Sequence, residues 1–222
     1  MNNRTKVAVI GLGNIGKGLI ANLIKGGHPV IISSRDNQKA VSYAESLGKL
    51  VTAKETALAI EEADVIIPAI YFEKIEDFVK EYASVLAGKV IVDVSNPIAP
   101  NGEGGFKKII GADQSAGQIL SALIPKDAHL VKAFGTLGAA SLTEEAFAEP
   151  ERKVLFYASD HTNSNRQIEE LITAAGFNPL HIGGINQSIH IEVFGELHQF
   201  GALGRTVTLE EAKQALKNSP VL

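Results

Sequence analysis

Short apolar runs rich in valine and isoleucine alternate along this chain with stretches whose apolar residues recur at helical spacing. The first run, Lys6 to Ile10, has the length of a buried strand; Leu19, Ile20, Leu23 and Ile24 then place a helix behind the glycines that follow it, closing near Lys25-Gly26-Gly27. The same alternation continues. Strands are predicted over 29–34, 50–52, 64–70, 89–94 and 129–134, with helices over 36–47, 54–63 and 73–86, and a further helix starting at Ser115 as its cap. Ile75, Phe78, Val79 and Tyr82 form the inner face of the 73–86 helix, while Pro68 argues for a bulge or strand end within 64–70. Strand–helix order with short connections predicts a doubly wound parallel sheet.

The second half keeps the pattern less regularly. A strand over 153–158, a helix over 166–175 and a short strand over 178–182 follow an acidic surface excursion at 144–151. Residues 189–203 are apolar and aromatic at mixed spacing, which suggests a packing helix at a dimer surface, and Thr208 caps a terminal helix to Lys217. The expected division is a dinucleotide-binding core over 1–136 and a smaller α/β extension over 137–222, packed on the core as one unit. The loop 97–112 carries four glycines and exceeds a minimal connection, as lids and binding loops do.

With 222 residues, 45% hydrophobic and 21% charged, the chain can bury a sizeable core, and its net charge of −4 leaves no footprint for nucleic acid. The absence of cysteine removes disulfides, thiol nucleophiles and thiolate metal sites. No apolar stretch approaches membrane-spanning length and no apolar signal segment precedes the first strand, so the expectation is a soluble cytoplasmic protein without a membrane or nucleic-acid partner.

Candidate chemistry begins at Gly11-Leu12-Gly13-Asn14-Ile15-Gly16, in the required place between strand and helix. Gly11 would make the turn, Gly13 would admit a pyrophosphate to the backbone, and Gly16 would let helix and strand pack; the bland alternative is a purely structural turn. Where the second strand stops, this fold uses a carboxylate for NAD or an arginine for NADP. Here stand Ser33-Ser34-Arg35, with Lys39 on the same helix face, so NADP is favoured over a merely solvated helix start; Asp36 would serve as the helix cap. Ligands in such sheets lie beyond the carboxyl ends of strands, which directs attention to Ala69, Ile70 and Tyr71 and to Ser95-Asn96-Pro97. Asn96 would orient the nicotinamide or a substrate, or simply open a turn.

Other constellations fail on spacing. His190, Glu192 and His198 match no metal pattern, Gly16-Lys17 is followed by Gly18 rather than Ser or Thr, and neither a Gly-x-Ser-x-Gly elbow nor a Tyr-x-x-x-Lys pair occurs. No catalytic dyad and no metal site is predicted. His181, at a strand edge, is expected to be structural.

These residues resemble the family of NADPH-dependent deazaflavin (coenzyme F420) reductases, whose dinucleotide domain is shared with mammalian six-transmembrane ferric reductases. The likeness runs through Val9 to Gly16, Ser34-Arg35 to Lys39-Ala40, Val92 to Pro97, Ser115-Ala116 and Val131 to Phe134. It implies NADP(H) held by Gly11, Leu12, Gly13, Asn14, Ile15, Gly16, Ser33, Ser34, Arg35 and Lys39, with Ala69, Ile70, Tyr71, Asn96 and Ala133 completing the cofactor site. The acceptor, a deazaflavin or flavin co-substrate, would meet Asn96, Pro97, Ser115, Phe134 and Gly135. A homodimer is implied too. Two departures fall on the acceptor side: Gly135 stands where relatives usually carry Asn, and Pro68 replaces a proline nearer Tyr71. The implied activity is hydride transfer between nicotinamide and a planar acceptor, which needs positioning more than acid–base groups. Rivals are an NADPH sensor without turnover, or a reductase of ferric complexes, imines or carbonyls. Imine and hydroxy-acid reductases usually append a large helical domain, for which the residues after Thr136 are too few and too strand-rich.

Overall fold

A computed structural model describes residues 4–218. In chain order the strand–helix alternation gives β1 (Val7–Ile10), α1 (Asn14–Lys25), β2 (Val30–Ser33), α2 (Asn37–Leu47), β3 (Val51–Ala53), α3 (Thr56–Glu62) and β4 (Val65–Pro68). Next come α4 (Ile75–Glu81), α5 (Ala83–Leu86), β5 (Val90–Asp93), β6 (Ile98–Pro100), β7 (Phe106–Lys108), α6 (Ala116–Ser121) and β8 (His129–Lys132). The last third supplies α7 (Ala139–Glu144), β9 (Val154–Ser159), α8 (Thr162–Ala174), β10 (Asn178–His181) and α9 (Leu209–Asn218).

Eight strands form one sheet in the order β10-β9-β8-β5-β4-β1-β2-β3, parallel from β3 through to β8. The expected doubly wound parallel sheet is present over six strands and reverses only at its far edge. β9 runs antiparallel to β8, and β10 is parallel to β9, so the last two strands oppose the other six. After the excursion around α7 the chain re-enters the sheet at the carboxyl end of β8, the end it had left.

Strands β1, β2, β4, β5 and β9 bury both faces, which is why their runs are continuously apolar rather than alternating. Val7, Val9, Val30 and Ile32 point to a cluster completed by Leu19, Leu23, Leu171 and Phe177; Ala8, Ile10, Ile31 and Ile66 point the other way, to Ile60, Phe78 and Leu86. A third cluster joins Val154, Phe156 and Ala158 to Ile191, Leu197, Val207 and Ala212. Helix starts are capped by the side chains expected. Asp36 Oδ1 accepts the Lys39 N–H at 3.1 Å, and Ser115 Oγ that of Gln118 at 3.3 Å. Thr208 and Glu211 form a reciprocal capping box, the Glu211 carboxylate accepting the Thr208 N–H at 2.8 Å.

Three expectations change. The 73–86 helix is broken into a 3-10 turn (Phe72–Lys74), α4 and α5, because Tyr82 leaves helical geometry at φ −106°, ψ 15° while its ring packs on Phe78. The loop 97–112 contains the antiparallel hairpin β6–β7. No helix forms over 189–203: a 3-10 helix (Ile185–Ile191) gives way to successive turns. Phe194 there takes a left-handed φ of 73°, and the Gly201 backbone approaches Gly195 so closely that a Cβ would lie 1.7 Å from its carbonyl oxygen.

Candidate functional site

The order of strands locates the site. From β1 the chain builds outward through β2 and β3, then crosses to the other side of β1 to lay down β4 and β5, so the loops after β1 and β4 part at their carboxyl ends. The glycine turn sits in that crevice. Gly11 has φ 112°, and its N–H donates to Ser33 O at 2.8 Å, while Ala69 N–H donates to Ile10 O at 2.8 Å. A Cβ at Gly16 would stand 2.1 Å from the Gly11 carbonyl oxygen, but one at Gly13 would meet nothing within 4 Å. Gly11 and Gly16 are therefore required by packing within the protein, whereas Gly13 is left open. Gly13 caps the twelve-residue α1 without any side-chain hydrogen bond, the kind of helix start whose first-turn N–H groups suit an anion.

One strand over, Arg35 and Lys39 are both exposed, and neither has an ion-pair partner among the described residues. Ser34 Oγ donates to Asp36 O at 2.6 Å. Ser33 is different: it is fully buried and shares a 2.8 Å hydrogen bond with Thr56, so its hydroxyl braces β2 against α3. Counting outward from β2 to β1, β4 and β5 gives about 14 Å at about 4.8 Å per strand, across which the cationic end, the glycine turn and the loops after β4 and β5 succeed one another.

On the far side of the crevice the sequence-predicted residues divide. Ala69 and Ile70 are half-buried and Tyr71 is exposed. Asn96 links loops: its Nδ2 donates to Gly135 O at 2.9 Å and its Oδ1 accepts the Val193 N–H at 2.7 Å. Pro97, Ala133 and Gly135 are buried, and Phe134, at φ 61°, is a core residue with no exposed surface. Ser115, proposed from sequence for the acceptor, instead directs its hydroxyl into a buried cluster, donating to Glu192 Oε1 at 2.9 Å and sharing a 2.5 Å hydrogen bond with Ser188. Gly135 is close-packed as well, since a Cβ would come within 2.9 Å of Val94 O.

That cluster is the part sequence reasoning missed. Lys132, 1% exposed, donates to Asp93 Oδ2 at 2.6 Å and to Ser95 O at 2.5 Å, and lies 3.8 Å from Glu192 Oε1. Asp93 Oδ1 accepts both the N–H and the hydroxyl of Ser95; the Glu192 carboxylate accepts the N–H groups of Ala116 and Gly117 at 2.9 Å each. Every buried charge is thus paired and hydrogen-bonded. An Asp and a Lys closing two otherwise apolar strands were the available signal. Nearby, His198 Nδ1 accepts the Phe200 N–H, which leaves Nε2–H to donate to Gly135 O at 2.9 Å. Burial, with the Lys132 charge adding, pushes this imidazole down to about 4, so it stays neutral. Glu192, Asn96, His198 and Gln199 together strap residues 192–200 across the ends of β5 and β8.

Of the histidine group weighed as a metal site, Glu192 and His198 are committed to these bonds and His190 pairs with Glu196 at 2.7 Å; no cluster of three potential ligands occurs among the described residues. His181 Nε2–H donates to Ser159 O at 3.2 Å, and the ring stacks on Tyr157, 4.8 Å between centroids.

Comparison with known proteins follows the same lines. The family described as NADP oxidoreductase, coenzyme F420-dependent, matches residues 6–97. Metalloreductase STEAP3 of Rattus norvegicus is 28% identical over 187 residues, covering 84% of this chain and 36% of that protein, so the chain spans about a third of the length of its metalloreductase relative. The F420-dependent NADP reductase of Methanothermobacter marburgensis is 28% identical over 198 residues, covering 84% and 88%. A hypothetical protein of Sinorhizobium meliloti superposes with a TM-score of 0.79 at 30% identity, covering 92% of this chain and 95% of that one.

Proposed function

We propose that this chain acts as a member of the family of coenzyme F420-dependent NADP oxidoreductases, whose model matches its residues 6–97, and that it moves a hydride between NADP(H) and a planar acceptor of the deazaflavin or flavin class. The observation that carries this reading is the pairing of a glycine turn without a side-chain cap with two cations one strand away, Arg35 and Lys39, that have no ion-pair partner among the described residues. The α1 N-terminus, with Gly11, Leu12, Gly13, Asn14, Ile15 and Gly16, holds the diphosphate; Ser34, Arg35 and Lys39 hold the additional phosphate. Ala69, Ile70, Tyr71 and Asn96 border the nicotinamide end, and the strap over residues 192–200 walls the acceptor side. When bound, NADPH supplies a hydride, which an isoalloxazine-class acceptor takes up together with one proton from water. The residues around it orient two rings and exclude water, which suits a site without an acid–base dyad.

The same reading includes a cofactor unit over 1–136 whose acceptor side is completed by 137–222, a homodimer, and a place in the cytoplasm. No helix among the described residues is long and apolar enough to cross a membrane. Titration calorimetry with NADPH and NADH tests the cofactor assignment. Arg35→Ala should weaken NADPH by about tenfold or more, as expected for charge-assisted phosphate contacts, and leave NADH unchanged. An unchanged NADPH affinity would refute it. Turnover assays with deazaflavin, FMN and a ferric complex then identify the acceptor; tight NADPH binding with none of them reduced would turn the reading to a sensor.

A further inference from the structure

Three residues other than glycine take a positive φ among those described, and all three are phenylalanines. For a bulky side chain this conformation is an outlier that persists only where surroundings impose it. Phe134 is fully buried in the core, so its packing accounts for the backbone. Phe147 covers Gly176, where a Cβ would fall 2.5 Å from the ring, and stands between the cations of Lys25 and Arg152 at 4.7 and 5.4 Å. Phe194, at φ 73°, has no such account, because half of it is exposed.

The strain at Phe194 is nevertheless firmly held. On its N-terminal side Val193 donates to Asn96 Oδ1 at 2.7 Å, and Glu192 is fixed by Ser115, Ala116 and Gly117. On its C-terminal side Gly195 N–H donates to Glu192 O and Leu197 N–H to His190 O, each at 2.8 Å. The anchor residue Asn96 lies just past β5, on the acceptor side of the crevice. A ring held out of the core at the end of a rigid, hydrogen-bonded strap is positioned for something other than folding.

We infer that Phe194 is the acceptor's stacking platform: its ring lies against the plane of an isoalloxazine-class molecule and selects flat acceptors over chelates. This rests on the function proposed above. The strained backbone aims the ring, and the buried Glu192 keeps the aim fixed. Aromatic stacking of this kind is worth about two- to tenfold in affinity.

The test uses Phe194→Gly, which adopts the left-handed conformation freely, alongside Phe194→Tyr. Flavin fluorescence quenching reports FMN binding to the full chain saturated with NADP. Phe194→Gly should melt no lower than wild type yet bind FMN about two- to tenfold more weakly. Its KM for FMN should rise by the same factor, with NADPH affinity and the KM for a ferric chelate unchanged; Phe194→Tyr should restore the wild-type values. The inference is overturned by unchanged FMN binding, by a loss of NADPH affinity in parallel, or by a fall in molar mass on light scattering, which would make Phe194 a subunit contact. Wild-type protein that binds NADPH but no isoalloxazine also overturns it and leaves the cofactor assignment standing, whereas failure to bind NADPH overturns the assignment itself.

Discussion

Replacing Lys132 by Met isolates the energetics of the buried ionic cluster. Met matches the lysine stem in length and removes only the ammonium, which at 1% exposure donates to Asp93 at 2.6 Å and to Ser95 O at 2.5 Å and sits 3.8 Å from Glu192. The two carboxylates would then share a dry interior with no cation. Glu192 keeps three donors from Ser115, Ala116 and Gly117, whereas Asp93 keeps only Ser95, so the loss falls mainly on Asp93. Breaking a buried pair from one side costs about 3–5 kcal/mol, a large share of the roughly 5–15 kcal/mol that holds a domain folded. At about 2–4 °C per kcal/mol for a chain of this size, the melting point should fall by about 6–20 °C. Urea unfolding of Lys132→Met, Asp93→Asn and the double variant decides the matter, because neutralising Asp93 removes the charge that Lys132 was compensating. The double variant should recover part of the loss, with a coupling of about 0.5–3 kcal/mol. A cost below about 1 kcal/mol for Lys132→Met, or strict additivity in the cycle, would refute the reasoning.

Further outcomes follow from the glycine turn and the buried imidazole. Gly16→Ala places a methyl 2.1 Å from the Gly11 carbonyl and should lower both the melting point and NADPH affinity; Gly13→Ala, whose methyl meets no protein atom, should melt like wild type and lose NADPH alone in calorimetry. His198 titrates at about 4 when folded, against about 6.5 in an unfolded chain. Between those values the unfolded state binds a proton that the folded state refuses, so stability falls as pH drops from about 6.5 to about 4, by about 3 kcal/mol, and is insensitive to this group above that window. Urea midpoints measured across pH 4–8 should therefore slope less steeply for His198→Gln; parallel curves would count against the assignment.

The pattern of apolar runs was sufficient to place strands β1, β2, β4, β5 and β9, because each is buried on both faces and has no other way to hide its side chains. The glycine turn was legible for a related reason: what it needs is local, a sharp bend and a backbone without Cβ atoms, and the structure finds Gly11 and Gly16 packed to contact with Gly13 left open. Asp36, Ser115 and Thr208 announced their caps, since a cap is settled within three residues.

What tertiary structure alone decided lies where distant segments meet. Nothing within Asp93, Lys132 or Glu192 says that they share one interior, because Lys132 meets Asp93 across 39 positions and Glu192 meets Ser115 across 77 only after β5, α6 and the 192–200 strap are assembled. The reversal of β9 against β8 is likewise silent in composition, as a strand buried on both faces looks the same in either direction. The mixed spacing over 189–203 suggested a helix, yet its apolar residues were distributed to serve two neighbours, the third core cluster and the strand ends, which no single helical face can do. Local chemistry fixes turns and caps by short-range hydrogen bonds and sterics. Charge pairing, strand direction and the course of the strap are set by contacts whose partners the chain brings together only on folding.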